Sequence, residues 1–501
     1  MSATSGLAVT KGFRECLKLT YPIAFTEIRF ALLLQESLFP SWPDDLSGDA
    51  VVSRRVCALL EGRDRELRGH RYVSGDLLHD FQDRVGIKLH IQEGQWRQGR
   101  ARTARLDLPV VLQRALFSEL TGPGSGDLVD FITGDPLTAR DIERRRALRR
   151  KERQSTPLRP GPNVEAARFL NGMRPHVFRR FERQLDQAVA YSQTLDSPRR
   201  ILSNLRLLFA LRQAGLDSTY QTVERTPRIY TLGWSMAQLT SSVREVLLEG
   251  ALHFDLAAAQ LAIIAKTWDL PWLRGVLYKH TRPGRSVWPP LLGMAGLSPE
   301  HKADFKTFLY AAAYGRSKGN LWRQVREAFG AAKATEVFAT PFVTELLEGR
   351  SARLRRMRRE GGILDAFGQF IRLEDRVVPQ GTSRENSLLA HEAQSFEFWL
   401  MEPLLQKARE QSEFRILLWL HDGAYVAVTQ PEREQRYSMQ VVAEVNRRAA
   451  EAGIPTRLIV DKLGWATDDL IFLTSASGRP SHESYGGGRG RPVPMLSLQD
   501  D

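Results

Sequence analysis

Cysteine is scarce: the 501-residue chain has two, Cys16 and Cys57. Two cysteines build neither a disulfide framework nor a cysteine-based zinc site, and the expectation is an intracellular, cytoplasmic protein. Long apolar runs are missing too. The longest, LAAAQLAIIA at 256–265, has about half of the ~20 residues that span a bilayer. The opening residues, MSATSGLAVTKGF, lack the apolar stretch of a signal peptide. A soluble chain with no membrane partner is expected. Negative charge is in deficit: 71 Lys and Arg stand against 58 Asp and Glu, a formal charge of +13. That excess favours a polyanionic partner, nucleic acid above a membrane surface. The plainer alternative is a basic protein with no such partner.

Hydrophobic residues make up 42% of the chain, enough for a sizeable core and two to four domains. Residues 1–138 read as a mostly helical domain of unknown role, with helical patterns at 26–38 and 49–68 and a strand or hairpin near 86–93. A basic connector follows at 139–163, ARDIERRRALRRKERQSTPLRPGPN. It is either a solvated linker helix or a phosphate-contacting segment with steep salt dependence. Pro157, Pro160 and Pro162 end it. Two long amphipathic helices are expected at 164–195 and 198–216. Beyond about 474 the chain turns Gly/Ser/Pro-rich, and 476–501 reads as a disordered tail.

Three stretches carry chemistry. In SPEHKADFKTFLYAAAYG, at 298–315, Lys302, Lys306, Tyr310 and Tyr314 are spaced by four. Steps of four advance about 40° around a helix, so the two cations and two rings form a slowly turning stripe. Such a stripe suits a triphosphate at one end and a base at the other; the alternative is a surface helix with two lysines. Ser298 is the expected N-cap, its hydroxyl accepting from a first-turn N–H, and Pro299 suits the first helical position. At 251–266, ALHFDLAAAQLAIIAK delivers Asp255 at the end of a strand that runs into a helix. This placement suits metal coordination, although many such residues only cap helices. At 415–428, RILLWLHDGAYVAV reads as a hairpin with His421, Asp422 and Gly423 at its tip. Asp-Gly alone also marks a type I′ turn.

In this order the three stretches resemble the motifs of the family A DNA polymerases. FDLAAAQLAIIAK resembles the first motif, with Leu261 matched and Gln260 where the family has Glu. KADFKTFLYAAAYG resembles the fingers helix through Lys302, Lys306, Tyr310, Tyr314 and Gly315. LLWLHDGAYVAV resembles the His-Asp-Glu hairpin, with Gly423 in the Glu place. GGILDAFGQFIRL at 361–373 and IPTRLIVDKLGW at 454–465 resemble further segments of the family. His391 stands near a Gln that contacts the primer–template minor groove, and Arg228 near a template-contacting Arg. The likeness covers about 215–470. The single-subunit RNA polymerases share the palm, and their hairpin has a small residue after His-Asp, as here.

The resemblance implies an α+β right-hand fold. The helical thumb would be 164–220 and the antiparallel-sheet palm and helical fingers 221–475, with the fingers at about 268–380. It implies template-directed DNA polymerisation on a primer–template by two Mg²⁺ ions, with Mn²⁺ as substitute, held by Asp255, Asp422 and the Leu256 carbonyl. Lys306 would meet the α- and γ-phosphates and protonate pyrophosphate, and Lys302 would hold the outer phosphates. Tyr310 would lie at the incoming sugar and base, Tyr314 near the template, and His421 at the primer terminus. Gln260 would lie at the sugar 2′ position, which leaves dNTP against NTP open. RNA synthesis, reverse transcription, priming or untemplated tailing are alternatives on the same palm, and so is a nucleic-acid-binding factor with an idle site. Proofreading is not expected, because the Asp-x-Glu at 64–66 falls in a charged helical pattern and not on a strand. Glu392, Glu397 and Glu402 read as surface residues, and the arginines of 349–362 as a solvated face or a single-strand contact.

Overall fold

The computed structural model describes residues 7–39, 51–53, 65–67, 70–72, 76–87 and 89–91. It also describes 103–462, apart from 107, 123–126, 156, 159–160, 174–177, 225, 282–285 and 379–382. The expected tail, Cys57, Gly464 and Trp465 lie outside the described residues.

Strands far apart in sequence form a four-stranded antiparallel sheet in the order Phe414–Trp419, Gly423–Val428, Leu252–Leu256 and Leu458–Lys462. Side chains alternate across a strand. Leu252, Phe254, Leu256, Ala424, Val426 and Val428 therefore enter one core, while Tyr425 and Ala427 enter another. His253 stacks on Tyr425 with ring centroids 4.4 Å apart, which puts His253 and Asp255 on the Tyr425 side of the sheet. Helices Ala259–Thr267, Arg384–Glu410 and Pro431–Glu451 contribute to the first core. Between the first two of them the chain is almost wholly helical, from Pro271–His280 to Pro341–Glu360. The architecture is α+β, mostly helical with small antiparallel sheets. Among the described residues no helix is long and apolar enough to cross a membrane.

The second core crosses the expected boundary at 138. Leu17, Phe30, Leu34, Phe81 and Leu116 share it with Leu185, Leu208 and Val243, and with Leu417, Leu418 and Tyr425 of the sheet. Helix Ile28–Leu38 and strand Leu89–Ile91 lie where the sequence predicts them. Of the predicted 49–68 helix, the described residues are strands, Val51–Ser53 and Arg65–Leu67, paired with Thr103–Leu106 and His70–Tyr72; the rest of that segment lies outside the described residues. Adjacent β-branched Val51 and Val52 favour a strand.

The basic connector is a docked helix, Ala139–Ser155. Arg145 pairs with Asp130 at 2.8 Å and Arg150 with Asp217 at 3.4 Å, and Arg146 reaches Glu143 and the Arg212 carbonyl. Arg144 remains 73% exposed. The predicted 164–195 helix breaks into Val164–Gly172, Arg179–Glu182 and Leu185–Ser192. The first break falls at Met173, whose backbone is extended (φ −64°, ψ 135°). Helix Pro198–Ala214 runs as predicted, with proline at its start and Gly215 (φ 90°) after its end.

Candidate active site

The Leu252–Leu256 strand ends beside the 420–423 hairpin tip, and backbone bonds fasten the two. The Leu256 N–H donates to the Asp422 carbonyl at 2.8 Å, and the Leu420 N–H donates to the Gly423 carbonyl at 2.9 Å. The central turn residues are thus His421 and Asp422, and Gly423 already belongs to the returning strand, opposite Asp255 in register. None of the three has a positive φ, so the tip is not the type I′ Asp-Gly corner. Gly423 is demanded by close approach: a Cβ there would stand 2.7 Å from the Phe254 carbonyl oxygen and 3.3 Å from Asp255 Oδ1. After Leu256 the chain turns sharply through Ala258, held at φ 49°, into helix Ala259–Thr267.

Asp255 is half-buried, and its carboxyl is pushed up to about 7 by burial, then by the charge of Asp422; Lys306 opposes this and Asp461 adds to it. Lys306 comes from the Lys302–Ala313 helix, whose apolar face is Phe305, Phe308, Leu309, Ala312 and Ala313. The Lys306 ammonium lies over the rings of Trp288 (5.7 Å) and Tyr310 (5.5 Å). Lys302 is exposed one turn earlier. Burial raises the pKa of both phenols, Tyr310 and Tyr314. Asp422 adds to this shift at both, and Asp255 at Tyr310. Ser298 does not cap the helix as predicted. A 3₁₀ turn, Pro299–His301, precedes the helix, and the Ser298 hydroxyl bonds Glu300 (2.5 Å) and His301 Nδ1 (2.9 Å) instead. At the other end, Arg350 donates to the carbonyls of Ala312 (2.8 Å) and Arg316 (2.9 Å). Gly315, at φ 90°, lies against the Asn386 side chain.

Arg228, on strand Thr226–Leu232, makes a two-pronged ion pair with Glu397: Nε to Oε1 and Nη2 to Oε2, both 2.9 Å. Gln260 Nε2 also donates to Glu397, and the Arg228 charge opposes the upward shift of the Tyr314 phenol. His421 packs edge-on against Tyr230 at 5.1 Å, and burial, then the Arg228 charge, lowers its pKa to about 3. The imidazole is therefore neutral at physiological pH.

Asp255, Asp422, Lys306, Tyr310, Tyr314, Gln260, Arg228 and His421 thus converge, with Leu256 at the junction of strand and hairpin. His391 is 3% exposed and sits inside the fold, its Nε2 3.7 Å from Asp365 Oδ2 and its Nδ1 3.4 Å from Arg376. Gln394, three residues on and half-buried, accepts from the Thr226 hydroxyl at 2.6 Å. Glu392 and Glu397 are buried on ion pairs with Arg353 and Arg228, not at the surface as predicted; Glu402 pairs with Arg448 in a more open position. The 349–362 arginines divide likewise. Arg350 and Arg353 serve the fold, while Arg355 and Arg359 stay exposed. Sequence reading missed Trp288, Glu397 and Asp461. For Glu397 a signal existed: it shares a helix face with Ala393, Leu400, Met401 and Leu404, all buried.

The fold and site define a class by geometry: an α+β chain with two sheet-borne aspartates faced by a lysine-bearing helix. No protein-family model and no curated protein matches the sequence. Among solved structures the chain is similar to the POL domain of Pol1 from M. smegmatis in complex with DNA primer-template and dNTP. The two are 14% identical, with a TM-score of 0.40, over 70% of this chain and 72% of that one.

Proposed function

We propose that the chain is a nucleotidyltransferase that adds deoxynucleotides to a primer 3′ end under the direction of a DNA template, without 3′–5′ proofreading. The observation that carries this reading is the Leu256–Asp422 backbone bond, which holds the two aspartate-bearing segments together within the field of Lys306. The donor set fits Mg²⁺, a hard cation that takes one or two carboxylates and substrate phosphates. The crowding of Asp255 by Asp422 is the charge a cation relieves. Asp255, Asp422 and the Leu256 carbonyl would hold the two ions, with Mn²⁺ as substitute. When bound, the ions supply charge neutralisation at the attacking and leaving oxygens. Lys306 faces the transferred phosphates and the leaving group, and Lys302 the outer phosphates. Tyr310 packs on the incoming sugar and base, Tyr314 borders the template position, and neutral His421 borders the primer terminus.

A second reading, synthesis from ribonucleotides, is favoured by Gly423. The close approach to Phe254 leaves no room for a third carboxylate, and the small residue matches the RNA polymerase hairpin. Purified protein is assayed with Mg²⁺ or Mn²⁺, dNTPs or NTPs, with and without primer and template. Asp255→Ala and Asp422→Ala should each lower extension by about a thousandfold or more. Full activity in either variant sinks the assignment. Preference for NTPs selects the second reading, and binding without product selects a nucleic-acid-binding factor.

A further inference from the structure

One buried carboxylate ties three elements together beside the two aspartates. Glu397, on helix Arg384–Glu410, is 1% exposed and accepts from Arg228 twice and from Gln260 once. Arg228 comes from strand Thr226–Leu232 and Gln260 from helix Ala259–Thr267. Tyr314, the C-cap of the lysine-bearing helix, feels the charges of both Arg228 and Glu397. An ionised carboxylate only accepts, so Glu397 dictates which end of the Gln260 amide faces it. Nε2 is the end that donates, which turns Oε1 away. Gln260 is 5% exposed, yet Oε1 has no hydrogen-bond partner among the described residues. Buried acceptors are rarely left unmet, and one beside a reaction site is a place for a ligand's donor.

We propose that Glu397 is a positioning residue of the nucleotide site. It orients Gln260 so that Oε1 accepts from a donor group of the bound nucleotide. This rests on the polymerase reading above. With Glu397 altered, the Gln260 amide is free to rotate, so nucleotide binding suffers before the chemical step does.

The test uses the full chain. Equilibrium binding of dATP is measured on a primer–template whose primer ends in a dideoxynucleotide, with Mg²⁺, and KM and kcat are measured on an extendable primer. Glu397→Gln should raise the dATP Kd and KM about tenfold or more, with a smaller fall in kcat. Glu397→Asp keeps the charge and should recover part of the loss. Arg228→Gln/Glu397→Gln removes both charges, so neither is buried alone. It should melt nearer the wild type than Glu397→Gln does, yet still bind dATP weakly, because the Gln260 amide is no longer held in one orientation. An unchanged Kd in a folded Glu397→Gln chain, or a loss confined to kcat, overturns the proposal and leaves the polymerase reading standing. Should Glu397→Gln not fold, wild-type dATP affinity in the double variant overturns it equally. A wild-type chain that neither binds dATP nor extends a primer overturns the polymerase reading itself.

Discussion

Asp255 sets the pH response of the site. Its carboxyl titrates at about 7 in the folded chain against 3.8 as the ordinary value. Between those values the folded chain keeps a proton that the unfolded chain has lost, so this residue's contribution to stability falls as pH rises through the window. Asp255→Asn should therefore melt higher than wild type at pH 8, by about 2 °C or more, and show no gain near pH 4. Thermal unfolding at the two pH values checks this. Mg²⁺ affinity should rise from pH 6 to pH 8, with proton release on binding measured by calorimetry, because the ion takes the ionised carboxylate. Gly423 makes a steric prediction. Gly423→Ala should cost about 1–3 kcal/mol in urea unfolding, since its Cβ meets backbone rather than a movable side chain. Gly423→Glu should cost more and lower activity further.

The lysine-bearing helix is short, and its C-terminal end is finished from outside. Arg350 donates to two carbonyls there, where a cation also meets the negative end of the helix dipole. Arg350→Ala should speed amide exchange over 309–316 and cost about 0.5–1.5 kcal/mol; unaltered exchange would show that the cap contributes nothing. The helix itself was legible in the sequence, as were the Asp255 strand and the hairpin, because each rests on a local rule: period four, alternation, or a tight turn. What was not legible depended on distant partners. Ser298 is the local exception: its hydroxyl had neighbouring Glu300 and His301 to bond. Glu397 reads as a surface charge until Arg228, 169 residues earlier, is placed against it. His391 and Gln394 are neighbours in sequence, and only packing against Asp365 and Arg376 decides which one is enclosed. At Val51–Ser53 the helical look of the neighbouring charged residues gives way to the strand preference of β-branched Val51 and Val52.

The two cores meet on opposite sides of one sheet, and the molecule depends on both. Residues before 138 bury Phe30, Phe81 and Leu116 in the core that Leu208 and Tyr425 share, and helix Pro198–Ala214, on which Val110–Thr121 packs, is one wall of it. Removal of 1–138 should expose that wall and leave the remainder aggregated or unfolded by circular dichroism; a soluble, cooperatively melting fragment would contradict this. The net charge of +13 predicts that nucleic-acid affinity falls steeply between about 50 and 200 mM salt, measurable by fluorescence anisotropy.

Strand Leu252–Leu256 pairs with Gly423–Val428 on one side and Leu458–Lys462 on the other. At about 5–20 residues per second, roughly 10–40 s of synthesis separate its emergence from that of its last partner. During that interval the ribosome-bound chain carries a completed lysine helix and one aspartate with nowhere to dock. Asp255 and Asp422 are thus brought together late, and a translation product truncated before 423 carries a bare strand edge to be shielded.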